Sequence, residues 1–328
     1  MKKLVCLYAT HSELNDELNE KAKAYAAEKN IDYEWVPLPN YTKEAAIAAL
    51  KDADAGIVDV EPYDDEIFSQ IRDRCKLIVR YGVGFDAVNL EDATKNGISI
   101  SRTTGANAEA VAEMAFALIM ALKRRLVEDM NATRTGNWYR YVGREMLGKK
   151  VGILGFGNIG RKLARLFSGF DAEIYAYDPF LTEEQCAAAG VKKADLDTIF
   201  TECDAISIHL PYTKETDHLV DGARLAQMKD SAVIVCTARG KIVDEDALAE
   251  ALKAHKILGA GLDVFATEPL PTTSPLIGLD NVILTPHVSA QTNEALWNMY
   301  AKAIDVAADF FEGKDLGRDL LNPDVLKK

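Results

Sequence analysis

Three glycines set between two strand-like runs, Gly155, Gly157 and Gly160, constrain this chain more than any other feature. Val151, Ile153 and Leu154 form a short apolar run suited to a buried strand, which breaks at Gly155. Beyond it Ile159, Leu163, Leu166, Phe167 and Phe170 recur at helical spacing, and a second strand-like run, Ala172 to Tyr177, ends at Asp178. Each glycine then has a mechanical task. Gly155 permits a tight turn, Gly157 lets backbone approach a diphosphate, and Gly160 allows close packing of helix on strand. The order strand, turn, helix, strand, acid predicts a dinucleotide site rather than a merely structural turn. The pyrophosphate would rest on free N–H groups at the helix start, and Asp178 would accept from a ribose 2′-hydroxyl. A carboxylate there repels a 2′-phosphate, and Pro179 to Gln185 holds Glu183 and Glu184 but no Arg or Lys, so NAD is favoured over NADP.

At 328 residues the chain has room for two domains of ordinary size, each with its own core. A formal charge of −13 argues against nucleic acid or an anionic membrane as partner, since both are bound through clustered Lys and Arg. The five cysteines (Cys6, Cys75, Cys186, Cys203, Cys236) are scattered, with no CxxC pair, which reads as reduced thiols in a cytoplasmic compartment. No His, Cys, Asp or Glu cluster has metal-ligand spacing, so no metal is expected. Leu4 to Ala9 follows Lys2-Lys3 as a signal peptide might, but it stops at Thr10-His11-Ser12-Glu13 and reads as a first strand. Met114 to Leu122 is too short to span a bilayer.

From the start, strand-like runs (Leu4 to Ala9, Tyr33 to Val36, Gly56 to Val60, Leu77 to Arg80, Ile98 to Ser101) alternate with helical patterns. Such alternation predicts βαβ units wound about a parallel sheet. This half lacks a phosphate-binding fingerprint. Its one glycine-rich turn, Tyr81 to Asp86, would lie at the carboxyl edge of the sheet, where open α/β sheets hold ligands. Next comes a long helical pattern, Ala106 to Thr133, whose Val111, Ala115, Leu118, Ile119 and Leu122 form an apolar stripe fit for a core, for joining domains or for a dimer. The aromatic loop Gly136 to Tyr141 suits a subunit contact or a loop packed on its own domain. Further strands near Ala205 to Leu210, Ala232 to Cys236, Leu258 to Leu262 and Val282 to Leu284 complete a Rossmann-type sheet of six or seven strands. The helix Asn293 to Phe311 is expected to return to the first domain. The fold expected is therefore α/β, with two doubly wound parallel-sheet domains. An NAD-binding domain (103–290) is inserted into a flavodoxin-like substrate domain (1–102 and 291–328), with two crossings as a hinge.

Three turns stand at strand ends of the second sheet: Cys236 to Gly240, Asp263 to Pro269, and Thr285 to His287. They supply what reduction of a 2-oxo acid needs. Arg239 can hold a planar carboxylate through two parallel hydrogen bonds. His287 can protonate the carbonyl oxygen as hydride arrives at carbon, and Glu268 beside it would favour the charged ring. Any one of the three is, taken singly, more often a surface ion-pair member. His209 stands at a strand end near the expected cofactor, whereas His11, His218 and His255 read as solvated.

Over nearly its whole length the chain resembles the D-isomer-specific 2-hydroxyacid dehydrogenase family. The matching segments are Arg80 to Asp86, Asn107 to Glu113, Leu147 to Gly160, Asp178-Pro179, His209 to Pro211, Thr237 to Gly240, Gly259 to Pro269 and Thr285 to Ala290. The resemblance implies that Arg239, Glu268 and His287 are catalytic. It also implies that the Val83-Gly84 backbone binds the substrate carboxylate beside Val60, and that Asp263 meets the nicotinamide carboxamide. Asn158, Ile159, Pro179, His209, Leu210, Pro211, Thr216, Thr237, Ala238 and Ala290 would join Gly155, Gly157, Gly160 and Asp178 around NAD. Members are typically homodimers joined through cofactor domains, which would give the apolar helix and the Trp138 loop a purpose.

Some positions depart from the pattern. Cys236 stands where Asn is frequent, and Ala87 where Asn usually follows the glycine-rich turn. Formate dehydrogenases of the superfamily resemble the chain but carry Gln at the Glu268 position. Phosphoglycerate dehydrogenases tend to have an Arg-Ser pair where this chain begins Asp59 to Asp65; Asp59, Glu61, Asp64 and Asp65 would repel a phosphate. No regulatory domain is expected after Lys328. The reading is a cytoplasmic, NAD-dependent enzyme acting on a small unphosphorylated D-2-hydroxy acid and its 2-oxo acid, with domains that close over substrate. The alternatives are a 3-phosphoglycerate dehydrogenase and an NAD-sensing, corepressor-like binding protein.

Overall fold

The computed structural model describes residues 1–8 and 11–327, which fall into two compact units: unit 1 of residues 1–107 and 292–328, and unit 2 of residues 108–291. Unit 1 runs β1 (Lys2–Cys6), α1 (Glu13–Glu28), β2 (Ile31–Trp35), α2 (Lys43–Leu50), β3 (Ala55–Val58), α3 (Asp65–Ile71), β4 (Leu77–Arg80), α4 (Leu90–Lys95) and β5 (Ser99–Arg102). Ala9, where the first strand was expected to end, lies outside the described residues. Each helix starts where a short polar side chain can accept from its first turn: Ser12 before α1, Thr42 before α2, Asp64 before α3 and Asn89 before α4. The five strands are parallel in the order β2-β1-β3-β4-β5, so the order reverses at β1 and β3.

Unit 2 follows with α5 (Ala108–Lys123), α6 (Leu126–Arg134), β6 (Lys150–Leu154), α7 (Asn158–Phe167), β7 (Glu173–Tyr177), α8 (Glu183–Ala188), β8 (Lys192–Lys193) and α9 (Leu196–Glu202). It ends with β9 (Ala205–Ile208), α10 (Gly222–Gln227), β10 (Val233–Cys236), α11 (Glu245–Lys253), β11 (Gly259–Leu262) and β12 (Val282–Leu284). The seven parallel strands lie in the order β12-β11-β10-β9-β6-β7-β8. Central strands β9, β10 and β11 are buried at every residue, which is why they read as unbroken apolar runs without alternation. The last helix, α12 (Asn293–Phe311), packs on α1 and β4 of unit 1.

The single helix expected from Ala106 to Thr133 is two. α5 ends at Lys123, Arg125 takes a left-handed conformation (φ 53°), and α6 begins at Leu126. No Gly or Pro marks this break. Its cause is tertiary: Lys123 is drawn under the sheet, where Nζ donates to the carbonyls of Asp204 (3.1 Å) and Ser231 (2.9 Å) at the starts of β9 and β10. Arg125 then turns outward to pair with Glu128 at 2.9 Å. The apolar stripe of α5 is core: Val111, Ala115, Leu118, Ile119 and Leu122 are all buried. The helix can seat so closely because β11 offers glycine beneath it. A Cβ on Gly259 would meet Leu122 at 3.0 Å, and one on Gly261 would meet Leu118 at 3.2 Å.

Burial pushes the Lys123 ammonium down to about 8. An unfolded lysine titrates at about 10.4, so between these values the unfolded chain binds more protons and stability must rise with pH. The unfolding free energy of the native protein minus that of Lys123→Met is therefore expected to climb from pH 8 to 10.5, by at most about 1.4 kcal/mol per pH unit. Urea titrations of both proteins across that range measure it, and a flat difference would mean that Lys123 is as solvated as in the unfolded chain.

Candidate active site

The glycine turn after β6 has the geometry its sequence requires. Gly155 adopts φ 96°, and a Cβ there would lie 2.7 Å from the backbone of His209 and Leu210. β6 and the chain leaving β9 can thus approach only at glycine, at the point where strand order reverses in this sheet. Gly160 sits against the Gly155 carbonyl, which a Cβ would meet at 2.3 Å. Gly157 faces open space: a Cβ there would find nothing within 4 Å. It caps α7 without a side chain, and no acid stands in that helix's first turn, so the leading amides are left for an anion. Asp178, after β7, accepts from Phe156 N with Oδ2 (3.0 Å) and from Phe180 N with Oδ1 (3.0 Å), which ties it to the glycine turn and leaves lone pairs for a sugar hydroxyl. This donor set fits a dinucleotide with an unphosphorylated ribose.

The remaining cofactor candidates also follow strands of unit 2. Asn158 and Ile159 open α7, Pro179 is exposed beside Asp178, and Ala290 follows Ser289. After β9, the Leu210 side chain packs in the core, so it can offer a ligand only backbone. Thr216 Oγ1 accepts from Thr213 N (2.7 Å) and donates to Pro211 O (2.9 Å), closing the loop that carries Pro211. His209 places Nε2 2.9 Å from Ser207 Oγ and Nδ1 3.4 Å from Thr237 Oγ1. Burial pushes its imidazole down to about 3, so it is neutral near pH 7. Ala238 lies next to Thr237, and its carbonyl accepts from Arg239 Nη1 at 2.6 Å.

Backbone hydrogen bonds stack the turns after β10, β11 and β12 on one another. Asp263 N donates to Cys236 O (3.0 Å), Thr285 N to Leu262 O (3.0 Å) and His287 N to Asp263 O (2.8 Å). The turns of Arg239 and Glu268 meet at Gly240, where a Cβ would lie 1.9 Å from the Phe265 carbonyl carbon. Glu268 Oε1 accepts from Phe265 N (2.9 Å), while Oε2 lies 2.8 Å from His287 Nδ1. Both side chains are more than a third exposed within unit 2, so the pair adds little to stability. What it does is orient the imidazole, leaving Nε2 without a bond to Glu268.

His287 sits at φ 53°, an unusual place for a residue with a Cβ. Asp263, wholly buried, holds it there. Its Oδ1 accepts from Thr285 Oγ1 (2.6 Å) and Val288 N (2.9 Å), and its Oδ2 from Ser289 N (2.9 Å) and Ser289 Oγ (2.5 Å). Thr285, Ser289 and Gly240 went unassigned in the sequence. Hydroxyls flanking a histidine turn next to a strand-end acid were the available signal for the first two; Gly240 lay within the segment Thr237 to Gly240 but carried no role of its own. Three proposed substrate residues belong to unit 1: Val60 follows β3 and is exposed, and Val83 and Gly84 follow β4.

The acid-rich loop after β3 is less negative than its sequence suggests. Asp59 lies 3.5 Å from Arg80, Asp64 2.6 Å from Lys43 and Asp65 3.0 Å from Lys95, so three of the four expected phosphate-repelling carboxylates have cations beside them. Among the described residues Glu61 has no such ion pair. The expected repulsion is reduced accordingly.

A doubly wound sheet with an open glycine turn, an acid at the end of its second strand and an imidazole–carboxylate pair at its carboxyl edge has the makings of a nucleotide-dependent oxidoreductase. Residues 116–289 match the family model described as "D-isomer specific 2-hydroxyacid dehydrogenase, NAD binding domain". The chain is 38% identical over 304 residues to a glyoxylate reductase of Thermofilum pendens, covering 90% of this chain and 87% of that one. It is 39% identical over 267 residues to a D-3-phosphoglycerate dehydrogenase of Mycobacterium leprae, covering 81% of this chain but only 50% of that one. The apo-structure of D-lactate dehydrogenase from Escherichia coli superposes with a TM-score of 0.81 at 29% identity, covering 98% of this chain and 100% of that one. The chain belongs to the D-isomer-specific 2-hydroxyacid dehydrogenase family, and it is an NAD-dependent oxidoreductase interconverting 2-hydroxy and 2-oxo acids. No helix of the described residues is long and apolar enough to cross a membrane.

Gly240→Ala is expected to lower kcat/KM on the order of 100-fold, since a displacement near 1 Å at reacting groups has that effect. It should also lower the melting temperature, because the clash is with backbone. Steady-state kinetics and a thermal melt check both, and an unaltered kcat/KM would separate the Arg239 turn from the Glu268 turn in function.

Proposed function

We propose that the substrate is a small, unphosphorylated D-2-hydroxy acid or its 2-oxo acid, of the size of glyoxylate, hydroxypyruvate or pyruvate, and that Arg239, Glu268 and His287 carry the reaction. The observation that supports this most is the Glu268–His287 pair at 2.8 Å on the turn beside Arg239. Arg239 binds the substrate carboxylate and keeps the 2-oxo group in place. NADH, when bound, supplies the hydride. His287 Nε2 gives its proton to the carbonyl oxygen, so the products are the hydroxy acid and NAD; in the reverse direction the neutral ring takes the hydroxyl proton. Glu268 keeps the ring oriented through both changes. Gly155 to Gly160, Asp178 and the strand-end residues named above hold the dinucleotide, with Asp263 fixing the His287 turn at that edge. In unit 1 the substrate residues proposed are Val83 and Gly84, through their backbone N–H groups, and Val60 of the loop after β3.

Glu61, the one acid of the loop after β3 with no ion pair among the described residues, supports the choice of an unphosphorylated acid over 3-phosphoglycerate. His287→Ala should lower turnover by about 10² to 10⁴ while NADH still binds. Assays of glyoxylate, hydroxypyruvate and pyruvate beside 3-phosphohydroxypyruvate decide the substrate. An active His287→Ala protein would remove the acid–base assignment, and a preference for the phosphorylated acid would remove the substrate class.

A homodimer in the cytoplasm completes the reading. Leu126 and Met130 of α6 and Trp138, Tyr139, Val142 and Leu147 of the following loop are all exposed, with Trp138 at 83%. An apolar surface of this kind on unit 2 is what a subunit partner would cover. All five cysteines are buried free thiols, as a reducing compartment would leave them. Light scattering without added reductant should report a dimer with no intermolecular disulfide; a monomer at micromolar concentration would end the dimer proposal.

A further inference from the structure

The turn after β4 is clamped by Arg80, Arg102 and Thr103, and the last two belong to no segment the sequence singled out. Gly82 takes φ 129°, and a Cβ there would lie 1.5 Å from Arg80 Nη1, so the Arg80 guanidinium passes directly beneath it. The same group donates to Tyr81 O. Arg102 Nη1 reaches Val83 O at 3.3 Å, with its guanidinium over the Phe85 ring. Between the two arginines, Thr103 takes both polar groups of Gly82: its Oγ1 accepts from Gly82 N (2.8 Å), and its own N–H donates to Gly82 O (3.0 Å). Thr103 has no exposed surface. The carbonyls of Tyr81, Gly82 and Val83 are therefore all engaged by fixed donors. Among the described residues the N–H groups of Val83 and Gly84 have no acceptor.

We propose that Thr103 is a positioning residue for substrate: by locking both polar groups of Gly82 it holds the Val83 and Gly84 amides ready to receive the substrate carboxylate. This rests on the reading that those amides take the carboxylate. Without the hydroxyl, the Gly82 N–H is buried with no acceptor and the peptide must rotate to find one. The next two amides then lose their common aim. The arginines contribute differently: Arg102 donates to Val83 O and so polarises the peptide whose N–H belongs to Gly84, while Arg80 donates to Tyr81 O, the carbonyl of the peptide whose N–H Thr103 holds. Neither can substitute for an acceptor at Gly82 N, because guanidinium only donates. A hydroxyl is the smallest group that accepts there, and Thr103 reaches it as the first residue after β5, in the run that leaves unit 1.

Three proteins test this: the native chain, Thr103→Val, which keeps shape and loses the acceptor, and Thr103→Ser, which restores it. With glyoxylate as probe, Thr103→Val should raise KM about tenfold or more, while kcat changes less than about threefold and the NADH dissociation constant is unchanged, the pattern of lost ground-state binding. Thr103→Ser should return KM to within about threefold of native. A merely structural role would not give a KM-only change rescued by a hydroxyl. An unchanged KM in Thr103→Val, or equal impairment in both variants, overturns the proposal. The underlying reading is checked separately on the native protein. Ethyl glyoxylate, an ester without the carboxylate charge, should be reduced with kcat/KM at least about 100-fold below glyoxylate. Equal use of acid and ester overturns the carboxylate reading, and the proposal with it, whatever Thr103 does. If circular dichroism shows Thr103→Val to be unfolded, Arg102→Gln takes its place with the same expected KM-only rise, and an unchanged KM there overturns the clamp.

Discussion

The carboxylate of Asp263 is the group on which the arrangement of the site depends. A fully buried carboxylate is stable only when its oxygens are satisfied, and here four donors from Thr285, Val288 and Ser289 do so. The consequence runs through the backbone. Those four bonds draw residues 285–289 over the end of β11, and His287 is carried into left-handed backbone at a cost of order 1–2 kcal/mol. The bonds offset that cost. What results is an imidazole that stands at the sheet edge with Nδ1 already committed to Glu268. Its orientation is fixed by the protein alone, which is the condition under which the proposed proton transfer would need no reorganisation.

A second constraint is close approach at glycine. Gly155 lets the chain after β6 touch the chain after β9, Gly160 lets α7 start against Gly155, and Gly240 lets the turn after β10 touch the turn after β11. At each of these points a methyl group would displace backbone, not a flexible side chain. The carboxyl edge of the second sheet is thus compact at these three glycines and open at Gly157, where a Cβ would find nothing within 4 Å. Rigid neighbours around one vacant position are a means of binding a large cofactor with little ordering left to do.

How much of this could be read from the chain depends on how far apart the interacting residues lie. The glycine turn, α7 and Asp178 form one continuous segment, and the sequence showed them because a local pattern encodes a local structure. Arg239, Glu268 and His287 were legible as strand-end residues once the parallel alternation was recognised, since that topology collects strand ends at one edge. The break at Arg125 was not legible, because it arises from carbonyls of Asp204 and Ser231 that lie far along the chain. The acid loop misled for the same reason. Asp64 and Asp65 look like a cluster of charge in sequence, yet Lys43 and Lys95 are brought to them by α2 and α4. Thr103 was invisible as well: its partner Gly82 is 21 residues away, and threonine in a strand end carries no signal of its own.

Both units solve one problem in the same manner. A peptide N–H can recognise an anion only if it is denied a partner within the protein and held where it cannot seek one. In unit 2 the amides of the first turn of α7 are denied partners by helix geometry itself and held by the packing of Gly160 on Gly155. In unit 1 no helix begins at the turn itself, α4 starting only at Leu90, so the neighbouring peptides are pinned one by one, by Arg80, Thr103 and Arg102. The difference has a consequence for how each site tolerates change. Helical amides are set by the whole element and survive most side-chain substitutions along it. A pinned turn depends on three particular side chains, so under the proposed reading substrate recognition in unit 1 would be where a single substitution away from the ligand has the greatest effect.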